Sequence, residues 1–149
     1  MLILGSLPGE ASLAAGQYYA HPRNGFWLLI GGVIGRDMVA LSYPERLEAL
    51  KAADVGLWDV VARAERRGSL DQAIRKAEAA DLDRLIEGLP ALRAVAFNGG
   101  TAARLGRRGL TTRPHIDLIN LPSSSPAYTR PLSEKAVAWA LLGAFVRLR

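Results

Sequence analysis

Four short apolar runs, at residues 2–4, 55–61, 92–97 and 115–121, are spaced along the chain with helix-forming stretches between them. The runs are continuous rather than alternating, as a strand covered on both faces requires. Strands that alternate with helices predict a parallel sheet, because a parallel neighbour is reached only by a crossover and the crossover helices cover the faces. The expected fold is therefore α/β, a three-layer αβα sandwich around a central, mainly parallel four-stranded sheet. The chain has 149 residues, half of them apolar, enough to bury one such core, and a single domain over 1–149 is expected.

The stretches between the runs carry their own punctuation. Asn24 precedes a helix through Phe26, Trp27, Leu29 and Ile30, and a second helix is expected over 44–53, with Leu47 and Leu50 on one face. Ser69 with Gln72 makes a capping-box pattern for a helix towards Ala80. Asp81 caps another, which Gly88 and Pro90 end. Asn98-Gly99-Gly100 turns the third strand into a short helix, and a last helix is expected over 131–148. In such sheets ligands bind beyond the carboxyl ends of the strands. Three loops leave those ends, 5–24, 98–100 and 121–130, and they should converge on one crevice.

The absence of cysteine excludes disulfides, thiolate zinc sites and iron–sulfur clusters. With His21 and His115 the only histidines, no metal centre is expected. Catalysis would rest on carboxylates, amides, hydroxyls, backbone groups or an added cofactor. The apolar stretch 26–34 holds a glycine pair and is followed by Arg36 and Asp37, so no membrane span is expected. No basic patch precedes an apolar stretch at the start, which makes a cytosolic protein the expectation. The net charge is +5, and residues 93–149 hold nine cations against two acids, among them Arg104, Arg107, Arg108, Arg113 and Arg130. Two readings stand: a surface facing a polyanion, since arginine grips phosphate with a two-pronged fork, or the arginine-rich composition of a GC-rich genome.

The first loop reads Gly5-Ser6-Leu7-Pro8-Gly9 and continues to Tyr18-Tyr19-Ala20-His21-Pro22-Arg23-Asn24-Gly25-Phe26-Trp27. It resembles the first motif region of the mismatch-specific uracil/thymine-DNA glycosylases. The last loop, Leu121-Pro122-Ser123-Ser124-Ser125, is similar to the DNA-wedging loop of thymine-DNA glycosylase. Order and spacing agree across nearly the whole chain. Relatives that remove uracil place Asn or Asp where this chain has Leu7, and some carry His where it has Leu121. Loss of both polar groups resembles the hypoxanthine-DNA glycosylase branch, family six of the uracil-DNA glycosylase superfamily. That resemblance implies a monofunctional, cofactor-free hydrolase of base excision repair, monomeric and associated with the nucleoid, whose partner is DNA bearing a deaminated base. Uracil or mismatch excision is the alternative within the class, and a non-catalytic lesion-binding module the alternative outside it.

The resemblance also assigns residues. Asn24 takes the catalytic amide that positions water or contacts the nucleotide, or it merely caps the following helix. Tyr19 is a stacking platform for the base, or ordinary core. Gly5, Ser6, Leu7, Pro8 and Gly9 bring backbone groups to the base, the glycines permitting close approach. Asn98 reads the purine edge or belongs to a plain turn. Trp58 and Asp59 border the pocket, Asp59 having a structural pairing as its other reading. Ser123, Ser124 and Ser125 grip phosphates, or form a serine-rich turn. Ala127 or Tyr128 fills the stack that the extruded base leaves, and Arg130 adds a DNA contact.

Overall fold

The computed structural model describes residues 1–7, 9–65, 75–79 and 81–147. β1 (Leu2–Gly5) lies at the centre of a parallel sheet, between β2 (Gly56–Asp59) and β5 (Ala94–Asn98), and β6 (Asp117–Leu121) pairs with β5 on its far side. The strand order is β2-β1-β5-β6. Register sets Gly5 opposite Asp59 and Asn98 opposite Leu121, so four strand ends share one edge.

Every residue of β1 and β5 is buried, as their apolar runs require. Alternate side chains feed two cores. Ile3 and Ala96 pack with α2 (Phe26–Ile34), α3 (Tyr43–Ala52) and α6 (Leu132–Trp139). Leu2, Leu4, Val95 and Phe97 pack with α4 (Leu82–Glu87) and α5 (Gly100–Arg108). The result is the expected αβα layering. Phe26 is wholly buried, edge-on to Trp27 at 4.9 Å and Trp139 at 5.8 Å. Burial of one such ring contributes roughly 2–3 kcal/mol and fixes where α2 starts, beside Asn24.

Four local expectations are corrected. The helix expected from Ser69 to Ala80 is contradicted over its described part: Arg75–Ala79 is a strand, β4, antiparallel to β3 (Val61–Glu65), while Ser69, Gln72 and Ala80 lie outside the described residues. Its Lys, Glu and Ala favour helix locally, but pairing with the preceding strand outweighs tenths of a kcal/mol of propensity. The run 55–61 is not one buried strand either. It splits into β2, a sheet edge with Trp58 48% exposed, and the start of β3, which leaves for the second sheet. The loop 5–24 contains a short helix, α1 (Glu10–Ala15), which Gly16 ends at φ 63°. The last helix stops being α-helical at Trp139 and tightens into a 3-10 turn, Ala140–Phe145. Among the described residues no helix is long and apolar enough to cross a membrane.

Candidate active site

A cleft of about 860 Å³ opens where the four strand ends meet, and the three expected loops do converge on it. Its size suits an extruded nucleotide. Gly5, at the end of β1, lies in close quarters: a Cβ there would lie 3.1 Å from both the Asp59 carboxylate and the Tyr19 hydroxyl oxygen. After α1 the chain folds back, because the buried Ser12 hydroxyl accepts the Ala20 N–H at 3.0 Å. Tyr18 donates its backbone N–H to the Tyr43 hydroxyl at 3.0 Å. Tyr19 adopts a left-handed backbone at φ 54°, and its ring stacks on Phe26 with centroids 4.0 Å apart and planes 18° from parallel. That stacking holds one face against the core of α2 while the residue lines the cleft.

Asn98 ties the loops together. Its Nδ2 donates to the Tyr19 hydroxyl at 3.2 Å and to Ser124 Oγ at 2.9 Å, and its Oδ1 accepts the Ser124 N–H at 2.9 Å. Both amide protons are thus committed to protein, and Asn98 holds the cleft wall rather than presenting donors to a base. The Ser124 carbonyl in turn accepts the Gly25 N–H at 2.9 Å, which fastens the last loop to the start of α2. Ser124 is 2% exposed, so its hydroxyl serves this clasp and is withdrawn from the phosphate contact expected of it. Gly99, at φ 102°, lets the chain turn into α5 directly against Ser123.

Asn24 differs from Asn98. Its Oδ1 accepts the Phe26 N–H at 3.0 Å, which satisfies the first amide of α2 although the N-cap position itself is Gly25; among the described residues its Nδ2 has no protein partner, and Asn24 lines the cleft. His21 orders the approach to it: its Nδ1 accepts the Arg23 N–H at 3.1 Å, and its carbonyl accepts the Asn24 N–H at 3.0 Å. Burial pushes the Tyr18 phenol up to about 12, with the Asp59 carboxylate and Tyr43 adding to the effect, so Tyr18 stays a neutral hydroxyl in the cleft wall.

Of the expected site residues, Gly5, Ser6, Leu7 and Gly9 line the cleft from the first loop, beside Tyr19, Asn24 and Asn98. Ser123, Ser124, Ser125, Ala127 and Tyr128 line it from the last. Pro8 lies outside the described residues. Trp58 is not at the cleft: it is the neighbour of Asp59 on an edge strand, where successive side chains take opposite faces, and it is Asp59 that lines the cavity. Arg130 also stands off the lining, paired with Glu134 at 3.7 Å and placed 5.5 Å from the Tyr128 ring centroid. Arg23 joins the lining without having been singled out; its place in the His-Pro-Arg-Asn segment was the available signal.

The arginine excess proves to be mostly elsewhere. α5 starts at the cleft with Gly100 and runs away from it, carrying Arg108 roughly 12 Å along the helix axis. Arg107 donates to Asn120 Oδ1 at 2.9 Å and lies 5.2 Å from the Phe97 ring centroid. Arg113 pairs with Asp83 at 3.1 Å.

Residues 1–143 match the family model of the uracil DNA glycosylase superfamily. The chain belongs to that superfamily. Similar members include proteins named hypoxanthine DNA glycosylase in two methanogens. The Methanosarcina barkeri protein is 40% identical over 144 residues, which cover 94% of this chain and 87% of the relative. The Methanosarcina acetivorans protein is 38% identical over 141 residues, covering 93% and 87%. A solution NMR structure from Methanosarcina acetivorans, described provisionally as a uracil DNA glycosylase, superposes with a TM-score of 0.82 at 38% identity, covering 95% of this chain and 87% of that one. Within the superfamily scaffold, the two positions where this chain has leucine in place of a polar group, Leu7 and Leu121, are both cleft-lining. Leu7 is partly buried against the α4/α5 core and Leu121 is 4% exposed in the other.

Proposed function

We propose that this protein is a monofunctional DNA glycosylase that removes hypoxanthine from deoxyinosine in DNA, with Asn24 orienting the attacking water. The observation that carries the reading is the Asn24 amide. It is anchored through Oδ1 yet retains an Nδ2 without a partner among the described residues, at a cleft where Leu7 and Leu121 supply no polar side-chain atom. The names of the relatives support hypoxanthine as the base.

The reaction places the water oxygen on C1′ of the extruded deoxyinosine. The C1′–N9 bond breaks with its electron pair leaving on N9, and the water's proton passes to the departing base through solvent. The products are free hypoxanthine and an abasic deoxyribose. Asn24 is a dipole and not a strong base, so it contributes by aligning the water. Tyr19 offers its ring to the purine, its other face already resting on Phe26. The N-terminus of α5, at Gly100 and Thr101, opens on the cleft and favours negative charge developing on the leaving base. Extrusion costs a few kcal/mol and least at a mispair such as hypoxanthine opposite thymine. The enzyme acts as a single chain in the compartment that holds the DNA.

A panel of oligonucleotide duplexes, each with one hypoxanthine, uracil, xanthine or mismatched thymine, tests this after alkaline cleavage of abasic products. Hypoxanthine should be released fastest. Faster release of uracil transfers the assignment to that base, and no cleavage of any duplex, with binding retained, leaves a lesion-binding module.

A further inference from the structure

Lys135 is 4% exposed, which lysine tolerates rarely and then usually with an acidic partner. Here no carboxylate lies within ion-pair distance among the described residues; the adjacent Glu134 is turned to Arg130 at 3.7 Å. The residue also stands in the first turn of α6, where the helix dipole disfavours a cation. Burial accordingly draws its pKa down. Two contacts offset these costs. Nζ donates to the Ser125 carbonyl at 3.1 Å, and it lies 5.3 Å from the centroid of the Tyr128 ring. The same Ser125 carbonyl accepts the Tyr128 N–H at 3.1 Å, so the ammonium closes the base of the turn that carries Tyr128. Tyr128 remains 41% exposed, with the Arg130 guanidinium 5.5 Å from its ring centroid. An apolar side chain of similar length would fill the same space without the charge. What the charge adds is a fixed carbonyl and an aromatic ring held out at the cleft mouth instead of folded onto it.

We propose that Lys135 is a positioning residue for DNA engagement, holding the loop 123–128 in its duplex-entering shape through the Ser125 carbonyl and the Tyr128 ring. This rests on the reading of that loop as the element that enters DNA. It adds a residue from α6 that touches neither base nor sugar.

The test reads affinity for a duplex carrying a tetrahydrofuran abasic analogue, by fluorescence anisotropy, so its outcome does not depend on which base is excised. Lys135→Met should weaken binding about tenfold, the scale of one lost charged hydrogen bond, and Lys135→Arg should stay within about threefold of wild type. In a Tyr128→Ala background Lys135→Met should cost less than about twofold more, because the ring that the Ser125 turn and the ammonium together hold out is gone. Lys135→Gln keeps a donor for Ser125 but no charge for the ring, and should fall between; it is the probe if the Met variant does not fold. Wild-type affinity in the Met or Gln variant, Met and Tyr128→Ala losses that multiply, or an Arg variant as weak as Met each overturn the proposal. Failure of the hypoxanthine assignment shows separately, as wild-type protein that binds the abasic duplex but releases no hypoxanthine. Wild type that does not bind the abasic duplex overturns both.

Discussion

The cleft and the arginine-rich strip at the far end of α5 are both polar, but they use their polar groups in opposite ways. At the cleft, hydrogen bonds join parts of the chain that are distant in sequence: Asn98 reaches Tyr19, 79 residues away, and Ser124, 26 residues away. One amide end, Nδ2 of Asn24, is held there without a protein partner among the described residues. Along the strip Arg107, Arg113 and Asp83 are taken up by neighbouring side chains and backbone. Arg107 is taken by Asn120 and the Leu118 carbonyl, and Asp83 by Thr111 and Arg113, contacts that hold its carboxyl below the usual range. The lesson is that charge density did not locate the site. The convergence of the loops and the uncommitted amide among them did.

The comparison breaks most sharply at Asn24. Asn24→Ala should lower the single-turnover excision rate by about 100-fold or more, the scale of losing one preorganised group, while DNA affinity changes little. The same change removes the hydrogen bond to the Phe26 N–H at the start of α2 and should cost about 1 kcal/mol in chemical denaturation. A rate like that of wild type would move the water-orienting role to another residue. Next comes Asn98→Ala, which leaves the Ser124 N–H buried and unpaired and should cost about 3 kcal/mol, with excision slowed through the loosened loops. Unchanged stability would mean that the clasp does not hold the cleft. The smallest effect belongs to the strip: Arg107→Gln should cost about 1 kcal/mol or less and leave excision within twofold of wild type. A large loss of excision there would restore the strip as a DNA surface.

Much of this was legible in the chain. The apolar runs 2–4 and 92–97 became the two central strands because continuous hydrophobicity needs only local sequence and a covered sheet to be expressed. The loop motifs placed Tyr19, Asn24 and the serines at one cleft, since loops leaving the same edge of a parallel sheet have nowhere else to meet. Less legible were the roles inside that set. Asn24 and Asn98 are the same residue type in comparable turns, yet one retains a donor and the other spends both. Ser124 carries the same side chain as Ser123 and Ser125 but lies buried between Asn98 and Gly25. The strand Arg75–Ala79 was hidden because its own Lys, Glu and Ala favour helix, and only pairing with the preceding strand, Val61–Glu65, makes it extended.

By itself, the sequence determined the α/β layering, the edge at which the loops gather and the chemical kinds of group found there, because hydrophobic continuity and turn chemistry act over a few residues. Tertiary structure alone decided which amide stays available, which serine is buried, which arginines are consumed and that Lys135 lies under the last loop. Those outcomes depend on atoms brought within about 3 Å of one another from segments far apart, and a hydrogen-bonding group already used by a neighbour is no longer there for a substrate.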